Sequence, residues 1–252
     1  MSGRWAEAYY GALYLESVED LLSPRLSAFE AELIGRLLGL GPGERALDLA
    51  CGHGRHAWPL AGRVASLVGL ERSAAYLARA ATSTSSSIAP APAFVRGDLR
   101  ALPFREGAFD AAFSWYASLF MFDEAGNRAV LREVARPLRR GGRLLVHHAN
   151  PLALARAPRA EASRTLPDGG RVEEVSEFDA GTGVDRCARR LVRPDGSRLE
   201  GTAQLRYYSP TEWGPLARRA GLLLRDVTST TPTAGGLPGP EAPDLIALLE
   251  KP

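Results

Sequence analysis

Residues 47–55 read LDLACGHGR, an apolar run interrupted by one acidic residue and followed by a turn with two glycines. The run ALDLA (46–50) is typical of a short strand buried on both faces. Gly52 and Gly54 allow a ligand to approach the backbone closely, and the helix expected around 55–62 offers free N–H groups at its first turn. The stretch therefore predicts a strand, a tight turn and a helix, with a ligand at the turn.

The alternation of strand and helix continues on the C-terminal side of this stretch. The apolar pattern predicts further strands at 64–70, 93–98, 109–116 and 143–149, and helices at 73–81 and 125–140. The second of these helices is expected to stop at Gly141 and Gly142. Alternation at this spacing indicates a parallel sheet covered by helices on both sides.

The flanking segments have different patterns. The first forty residues are helical in character, whereas residues 151–207 resemble antiparallel strands joined by turns and are too short for an independent domain. Ser209 is a predicted N-cap, with Glu212 in the capping-box position of a helix at 210–220. Two further strands are predicted at 222–229 and 245–250.

Composition excludes several classes of protein. The chain has 252 residues, of which 45% are hydrophobic and 24% charged, as in globular proteins rather than disordered ones. The net charge of +2 argues against a dedicated nucleic-acid binder. Lys251 is the only lysine among 31 basic residues, so mechanisms that need a lysine in a folded core are excluded. The arginine, alanine and leucine enrichment indicates a GC-rich bacterial genome.

The cysteines and the N-terminus bear on the cellular compartment. Cys51 and Cys187 form neither a disulfide framework nor a zinc cluster. The N-terminus lacks an apolar signal segment, and no run of about 18 apolar residues could span a membrane. We therefore expect a cytoplasmic protein with no membrane partner.

The glycine turn by itself is ambiguous. GHGRHA (52–57) formally satisfies the G-x-G-x-x-A variant of the dinucleotide-binding fingerprint. However, Asp48 lies on the strand just before the glycines, where it would repel a pyrophosphate and attract a cationic ligand. The carboxylate therefore favours a positively charged ligand over NAD.

The order of acidic residues along the strands carries a family resemblance. D-x-A-C-G-H-G-R (48–55) resembles the first motif of class I S-adenosylmethionine-dependent methyltransferases. Glu71 resembles the acidic residue that binds the ribose hydroxyls in that family, and Asp98 with Leu99 resembles the pair beside the adenine. The resemblance implies S-adenosyl-L-methionine as cofactor and no metal. It implies a cofactor site made of Asp48, Ala50, Cys51, Gly52, Gly54, Glu71, Arg72, Asp98, Leu99, Trp115 and Tyr10.

The same resemblance implies the whole architecture. Residues 104–122 and 133–146 resemble the fourth-strand and fifth-strand regions of the family. We expect a Rossmann-like α/β fold with a seven-stranded, mostly parallel sheet whose last strand is antiparallel. The single domain would comprise an N-terminal helical cap (1–40), the cofactor-binding core (41–150), a small antiparallel β insertion acting as a lid (151–207), and a C-terminal helix with strands (208–252).

The sequence indicates the catalytic residues less clearly than the cofactor-binding residues. His147 and His148 lie near the carboxyl end of the fifth strand, and because neighbours in a strand face opposite sides, at most one should face the pocket as a base. The alternative for these two histidines is a structural role, with one packed under a helix and the other only filling space as a polar side chain. Tyr116 is a third catalytic candidate, because the aromatic segment around it resembles a wall for a small organic acceptor.

Other aromatic and polar residues each have two interpretations, one functional and one structural. Tyr9, Tyr10 and Tyr14 resemble tyrosines that fold over the cofactor and acceptor in small-molecule members of the family, or they are packing residues of a helix. Tyr207 and Tyr208 are expected to face the acceptor from the lid, unless the lid forms a dimer contact. His53 and His56 have the spacing of metal ligands but lack a third partner.

The sequence thus predicts a methyltransferase acting on a small-molecule substrate, with no nucleic-acid partner, as a monomer or homodimer. An RNA or protein methyltransferase is the main alternative. A cofactor-binding protein without methyl transfer activity and an NAD-dependent oxidoreductase also stay open, since binding motifs identify a cofactor and not a reaction.

Overall fold

The structure is a computed structural model that describes residues 8–82, 90–116, 118–231 and 237–252. The start of the predicted cap (1–7) and most of the polar loop predicted at 82–92 lie outside these residues. So does 232–236, in the glycine- and proline-rich segment before the last strand. Within the described ranges, no helix combines the length and the apolar character that crossing a membrane requires.

A seven-stranded sheet forms the centre of the molecule. Its strands are β1 (Arg45–Leu49), β2 (Ser66–Glu71), β3 (Ala93–Arg96), β4 (Phe109–Ser114), β5 (Leu138–Ala149), β10 (Leu223–Thr228) and β11 (Asp244–Glu250), in the order β10-β11-β5-β4-β1-β2-β3. Strand β11 is antiparallel to both of its neighbours, and the adjacent pairs from β3 to β5 are parallel. The predicted fold class is confirmed, including the antiparallel last strand.

Helices cover both faces of this sheet. The described helices include α1 (Ala12–Val18), α2 (Pro24–Leu38), α3 (Ala57–Ala61), α4 (Ala74–Thr82), α5 (Glu124–Ala135), α6 (Pro151–Leu154) and α7 (Pro210–Arg219). Of these, α2, α3, α4, α5 and α7 pack against this sheet. On one face Ile34 of α2 and Leu60 of α3 pack against the sheet, and on the other Val130 of α5 and Trp213 of α7 do so. Burying these fully enclosed side chains contributes about 1.5–3 kcal/mol each, which fixes the strand ends relative to the helices.

A second sheet stands apart from the first. Its strands β6 (Arg159–Thr165), β7 (Arg171–Asp179), β8 (Val184–Val192) and β9 (Arg198–Arg206) form an antiparallel meander. Leu13 of α1 is buried against Val172, Leu191 and Ala203 on one face of this sheet. The second sheet therefore holds the segment around α1 in place. This contact positions the segment over the strand ends of the central sheet.

The helix predicted at 125–140 is shorter than expected. Helix α5 ends at Ala135, and Leu138 already belongs to β5. Pro137 has no backbone N–H to donate to the carbonyl four residues earlier, so the helical hydrogen bonds end before it, although Arg136 itself keeps a helical backbone. Gly141 has a φ of 72° and lies inside β5, where the register against β4 shifts. The glycines mark an irregular strand and not the end of a helix.

The capping box predicted for the last helix is present. The Ser209 N–H donates to Oε2 of Glu212 at 2.8 Å, at the start of α7. This contact satisfies a donor that the helix itself cannot pair. This contact fixes the start of α7 to the segment that follows β9 of the second sheet.

Candidate active site

A cavity of about 260 Å³ opens at the carboxyl ends of β1, β2 and β4. The carboxyl edge of a parallel sheet is where α/β folds bind ligands, because the turns and helix N-termini meet there. Tyr10, Tyr14 and Leu15 line the cavity from the N-terminal side. The space is therefore enclosed between the glycine turn and the segment held by the second sheet.

The predicted cofactor residues converge on this cavity, with one exception. Those that line it are Tyr10, Asp48, Ala50, Cys51, Gly52, Glu71, Arg72, Asp98, Leu99 and Trp115. Gly54 is not among the lining residues. A Cβ added to Gly54 would lie 2.8 Å from Cζ of Phe94, so this glycine permits close packing against β3. Its predicted contact with the ligand is not supported.

The turn itself is bent by three residues with a left-handed backbone, one of which is Gly54 with a φ of 79°. Ala50 and Gly52 both have a φ of 57°. For alanine this conformation costs roughly 1–2 kcal/mol, because its Cβ approaches the following carbonyl. The Cys51 N–H donates to the Leu70 carbonyl at 3.0 Å. Burial raises the pKa of the Cys51 thiol, so this cysteine is an inert wall residue and not a nucleophile.

Glu71 is fixed at the end of β2 by backbone N–H groups. Its Oε1 accepts from the N–H groups of Arg72 and Ser73, both at 2.8 Å, and its Oε2 accepts from the Gly52 N–H at 3.1 Å. Oε2 has a single partner and retains an acceptor site for a ligand hydroxyl. The carboxylate links the glycine turn to β2 in an orientation that suits a ribose.

Asp98 lies at the rim and is held by a residue that the sequence analysis missed. Arg100 donates to it through Nε at 2.9 Å and through Nη2 at 2.7 Å. These hydrogen bonds hold the pKa of Asp98 below its usual range. The side chain is therefore an ionised acceptor, as binding to an exocyclic amine would require.

Asp48 is a buried carboxyl with an unpartnered atom. It is 2% exposed, and among the described residues its Oδ2 has no hydrogen-bond partner. Burial raises the pKa of Asp48 to about 8, against the opposing effect of Arg55. Arg55 also lines the cavity, and its buried Nη2 has no partner. An unpartnered acceptor and an unpartnered donor on one cavity fit a ligand that carries an ammonium and a carboxylate.

Glu30 organises one side of the cavity from helix α2. The carboxylate accepts from Arg55 Nη1, lies 3.0 Å from Nε2 of His56, and accepts from the Tyr116 hydroxyl at 2.7 Å. Although burial opposes ionisation, the hydrogen bonds from His56 and Arg55 hold the pKa of Glu30 down at about 2. A glutamate in the apolar stripe of α2, beside Ile34, was the only sequence signal for this role.

His147 does not line the cavity. Its Nδ1 accepts from the Tyr116 N–H at 3.2 Å, and its Nε2 lies 3.3 Å from Oδ2 of Asp244. The ring stacks on Trp115 with centroids 4.2 Å apart. Both nitrogens are engaged, so the predicted role of base is not supported. The geometry instead makes His147 a support for the cavity wall.

His148 faces the opposite side of β5, as predicted for adjacent strand residues. It is fully buried, stacks on Trp213 at 5.5 Å, and donates from Nδ1 to the Ala149 carbonyl at 2.8 Å. Burial lowers the pKa of His148 to about 4. Since it is not a lining residue, its predicted role of base is not supported either. The packing alternative describes it better.

Tyr116 lies at the cavity rim in a strained conformation. Its φ is 63°, and the side chain is pinned by the hydroxyl contact to Glu30. Arg55 lies over the ring, 5.3 Å from its centroid. Such conformations persist only where the surroundings enforce them, and they concentrate at functional sites.

The remaining tyrosines divide into wall and packing residues. Tyr10 and Tyr14 line the cavity, as the resemblance implied. Tyr9 is buried under the second sheet, with its hydroxyl 3.0 Å from Sγ of Cys187. Tyr207 packs against Phe178, and neither it nor Tyr208 is among the lining residues. The expectation that these last two face the acceptor is not supported.

Comparison with known proteins shows similarity over part of the chain. A family described as a methyltransferase domain matches residues 46–142. Demethylmenaquinone methyltransferase from Mycolicibacterium paratuberculosis is 38% identical over 112 residues, which is 43% of each chain. The chain thus spans less than half the length of the curated relatives that it matches.

Two solved structures resemble this chain in fold over most of its length. The CcbJ methyltransferase from Streptomyces caelestis is 20% identical with a TM-score of 0.75, over 89% of each chain. CalS10 from Micromonospora echinaspora, an amino pentose methyltransferase solved with S-adenosylmethionine bound, is 20% identical with a TM-score of 0.59, over 90% of each chain. Residues 46–142 are therefore similar to a methyltransferase domain, and the solved structures share the fold over most of the chain.

Proposed function

We propose that this chain transfers a methyl group from S-adenosylmethionine to a small-molecule acceptor. The observation that carries the proposal is the cavity itself, where Asp48 and Glu71 from the sheet face Tyr10 and Tyr14 from the N-terminal segment. Tyr10 and Tyr14 cover the cavity on the N-terminal side, and a covered site suits a small acceptor better than a folded macromolecule.

Each wall residue then has a binding role. Glu71 accepts from the ribose hydroxyls, and Asp98 from the adenine amine. Asp48 and Arg55 hold the ammonium and carboxylate of the amino-acid end, where their unpartnered atoms lie. Charge-assisted contacts of this kind are shorter and stronger than neutral ones, so they orient the ligand while Tyr10 and Tyr14 exclude water.

The bound cofactor supplies a methyl group activated by the positive sulfur. The protein's contribution is to place a nucleophile in line with that carbon and to keep the site dry. Trp115 and Tyr116 form the wall beside which the acceptor would lie. Curated relatives named for demethylmenaquinone and a structural neighbour named for an amino pentose support a small acceptor.

Isothermal titration with S-adenosylmethionine, S-adenosylhomocysteine and NAD tests the cofactor assignment. We expect micromolar binding of the first two and none of NAD. Glu71→Ala should weaken S-adenosylhomocysteine binding by about 1.5–3 kcal/mol through the loss of charge-assisted hydrogen bonds. Unchanged affinity in this variant would remove the ribose role from Glu71.

Turnover is tested by following S-adenosylhomocysteine release with a panel of phenols, hydroxyquinones and amino sugars. We expect at least one small acceptor to be methylated. Cofactor binding without turnover on the panel would favour a binding protein. Methylation of RNA or of proteins from a cell extract, with none of the panel accepted, would overturn the small-molecule assignment.

A further inference from the structure

His56 places a free nitrogen at the cavity wall. The residue lines the cavity immediately before α3, and its ring lies edge-on to Trp115 with centroids 6.0 Å apart. Its Nε2 lies 3.0 Å from Oε2 of Glu30. Among the described residues Nδ1 has no hydrogen-bond partner, and it is not one of the side-chain atoms that packing seals from solvent. Nε2 is therefore held by Glu30, and Nδ1 is available to accept a hydrogen bond from a ligand.

The protonation of the ring follows from its partner. Glu30 is ionised, because its pKa is held at about 2, and an ionised carboxylate can only accept hydrogen bonds. The hydrogen between the two residues therefore belongs to Nε2. Burial lowers the pKa of His56 to about 4 against the hydrogen bond and the charge of Glu30, and the charges of Arg55 and His147 act in the same direction as burial. At neutral pH the ring is uncharged, with a bare lone pair on Nδ1.

From this geometry we propose that His56 is the general base for methyl transfer, and that the acceptor presents a hydroxyl group to its Nδ1. The inference rests on the proposed function and names the substrate class of that same site. The acceptor's oxygen forms a bond to the methyl carbon while the carbon–sulfur bond breaks, and that electron pair passes to sulfur. The hydroxyl proton passes to Nδ1, and His56 later releases it to water.

The electrostatics of the pair favour a hydroxyl over an ammonium group. An alkyl ammonium has a pKa near 10 and would keep its proton against such a weak base. A hydroxyl becomes strongly acidic only as its oxygen bonds to carbon, so a weak base suffices in the transition state. Glu30 then stabilises the imidazolium, as a carboxylate does for histidine in hydrolase triads.

Nuclear magnetic resonance tests the state of the ring without any turnover. In protein labelled with ¹⁵N-histidine, we expect His56 to carry its hydrogen on Nε2 and to stay uncharged down to about pH 5. Phenol added to the S-adenosylhomocysteine complex should shift the Nδ1 resonance. A hydrogen on Nδ1, titration near pH 6.5, or an Nδ1 signal unmoved by phenol would each overturn the proposal.

Two substitutions separate the base from a structural role. His56→Gln keeps a side-chain amide near the position of Nε2 for Glu30 but has no group in place of Nδ1, whereas His56→Asn does the reverse. His53→Gln is the matched control, since His53 also lines the cavity but, among the contacts of the described residues, donates no hydrogen bond to Glu30. We expect His56→Gln to lower kcat on a hydroxyl acceptor by about 100-fold or more.

The same variants keep the two proposals distinguishable. All three should bind S-adenosylhomocysteine within about threefold of the wild-type protein, because general-base catalysis contributes to the rate and not to cofactor binding. Loss of binding in the wild-type protein would refute the proposed function, whereas binding with an unchanged kcat in His56→Gln would refute only the base. Methylation of the amino sugars at nitrogen, with no hydroxyl group of the panel methylated, would overturn the hydroxyl assignment.

Discussion

Asp48 is the residue at which burial and function oppose each other most directly. Its side chain is almost fully enclosed, and one oxygen has no partner. A charge in that position is costly without a counter-ion. The folded protein avoids this penalty by keeping the carboxyl protonated, and a cationic ligand beside it would favour ionisation.

This penalty predicts a pH-dependent difference between the wild-type protein and Asp48→Asn. The folded-state pKa of about 8 lies above the unfolded value of about 3.9, so the folded protein holds a proton that the unfolded chain loses in this window. The wild-type free energy of unfolding should therefore fall as pH rises, relative to the variant, by up to about 1.4 kcal/mol per unit. Urea denaturation at pH 5, 6, 7 and 8 without ligand measures it.

Asp98→Asn serves as the control because Arg100 shifts its pKa in the opposite direction. That variant should not become more stable relative to wild type as pH rises, since the ionised form is the favoured one in the folded protein. Denaturation curves for Asp48→Asn that run parallel to wild type at every pH would show that Asp48 is not protonated in the folded state.

At the scale of elements, the junction of β4, β5 and β11 supports the cavity wall. Asp244 on β11 holds Nε2 of His147 on β5, and Nδ1 of that ring accepts the backbone N–H of Tyr116 after β4. The chain of contacts ends at a residue whose left-handed backbone needs external support. Three strands thus fix one turn.

His147→Phe should therefore lower stability more than His147→Asn. Phenylalanine can stack on Trp115 but cannot accept from the Tyr116 N–H, and leaving that donor unpaired costs about 1–3 kcal/mol. Asparagine places a carbonyl oxygen near the position of Nδ1. Urea denaturation at pH 7 measures the difference, and equal losses in the two variants would mean that the hydrogen bond does not support the turn.

The sequence predicted the elements well where local pattern decides them. β1 and β4 are apolar runs buried on both faces, and the helix after Ser209 carries its own capping signal. It failed where distant residues decide: Asp244 lies 97 residues from His147, and Glu30 lies 26 residues from His56. No local pattern shows which histidine lies beside a carboxylate. The sequence therefore favours His147 and His148 on β5 over His56 beside the glycine turn.

For the whole molecule, the N-terminal segment links the second sheet to the cavity. Arg189 of β8 is paired with Glu174 and lies 5.2 Å from the ring centroid of Tyr9 and 5.0 Å from that of Tyr14. Tyr14 in turn lines the cavity. The position of the second sheet is therefore coupled to the enclosure of the ligand.

This coupling predicts that Arg189→Met weakens ligand binding from outside the cavity. Losing cation–π contacts worth about 0.5–2 kcal/mol should loosen α1, lower S-adenosylhomocysteine affinity by about 3- to 10-fold, and speed amide exchange in α1. Glu174 is partly exposed, so water can solvate the carboxylate that is left. Arg190→Met is the matched control, because the next residue in the strand faces the other side of the sheet. If both variants bind like wild type, the contacts of Arg189 with Tyr9 and Tyr14 do not contribute to ligand enclosure.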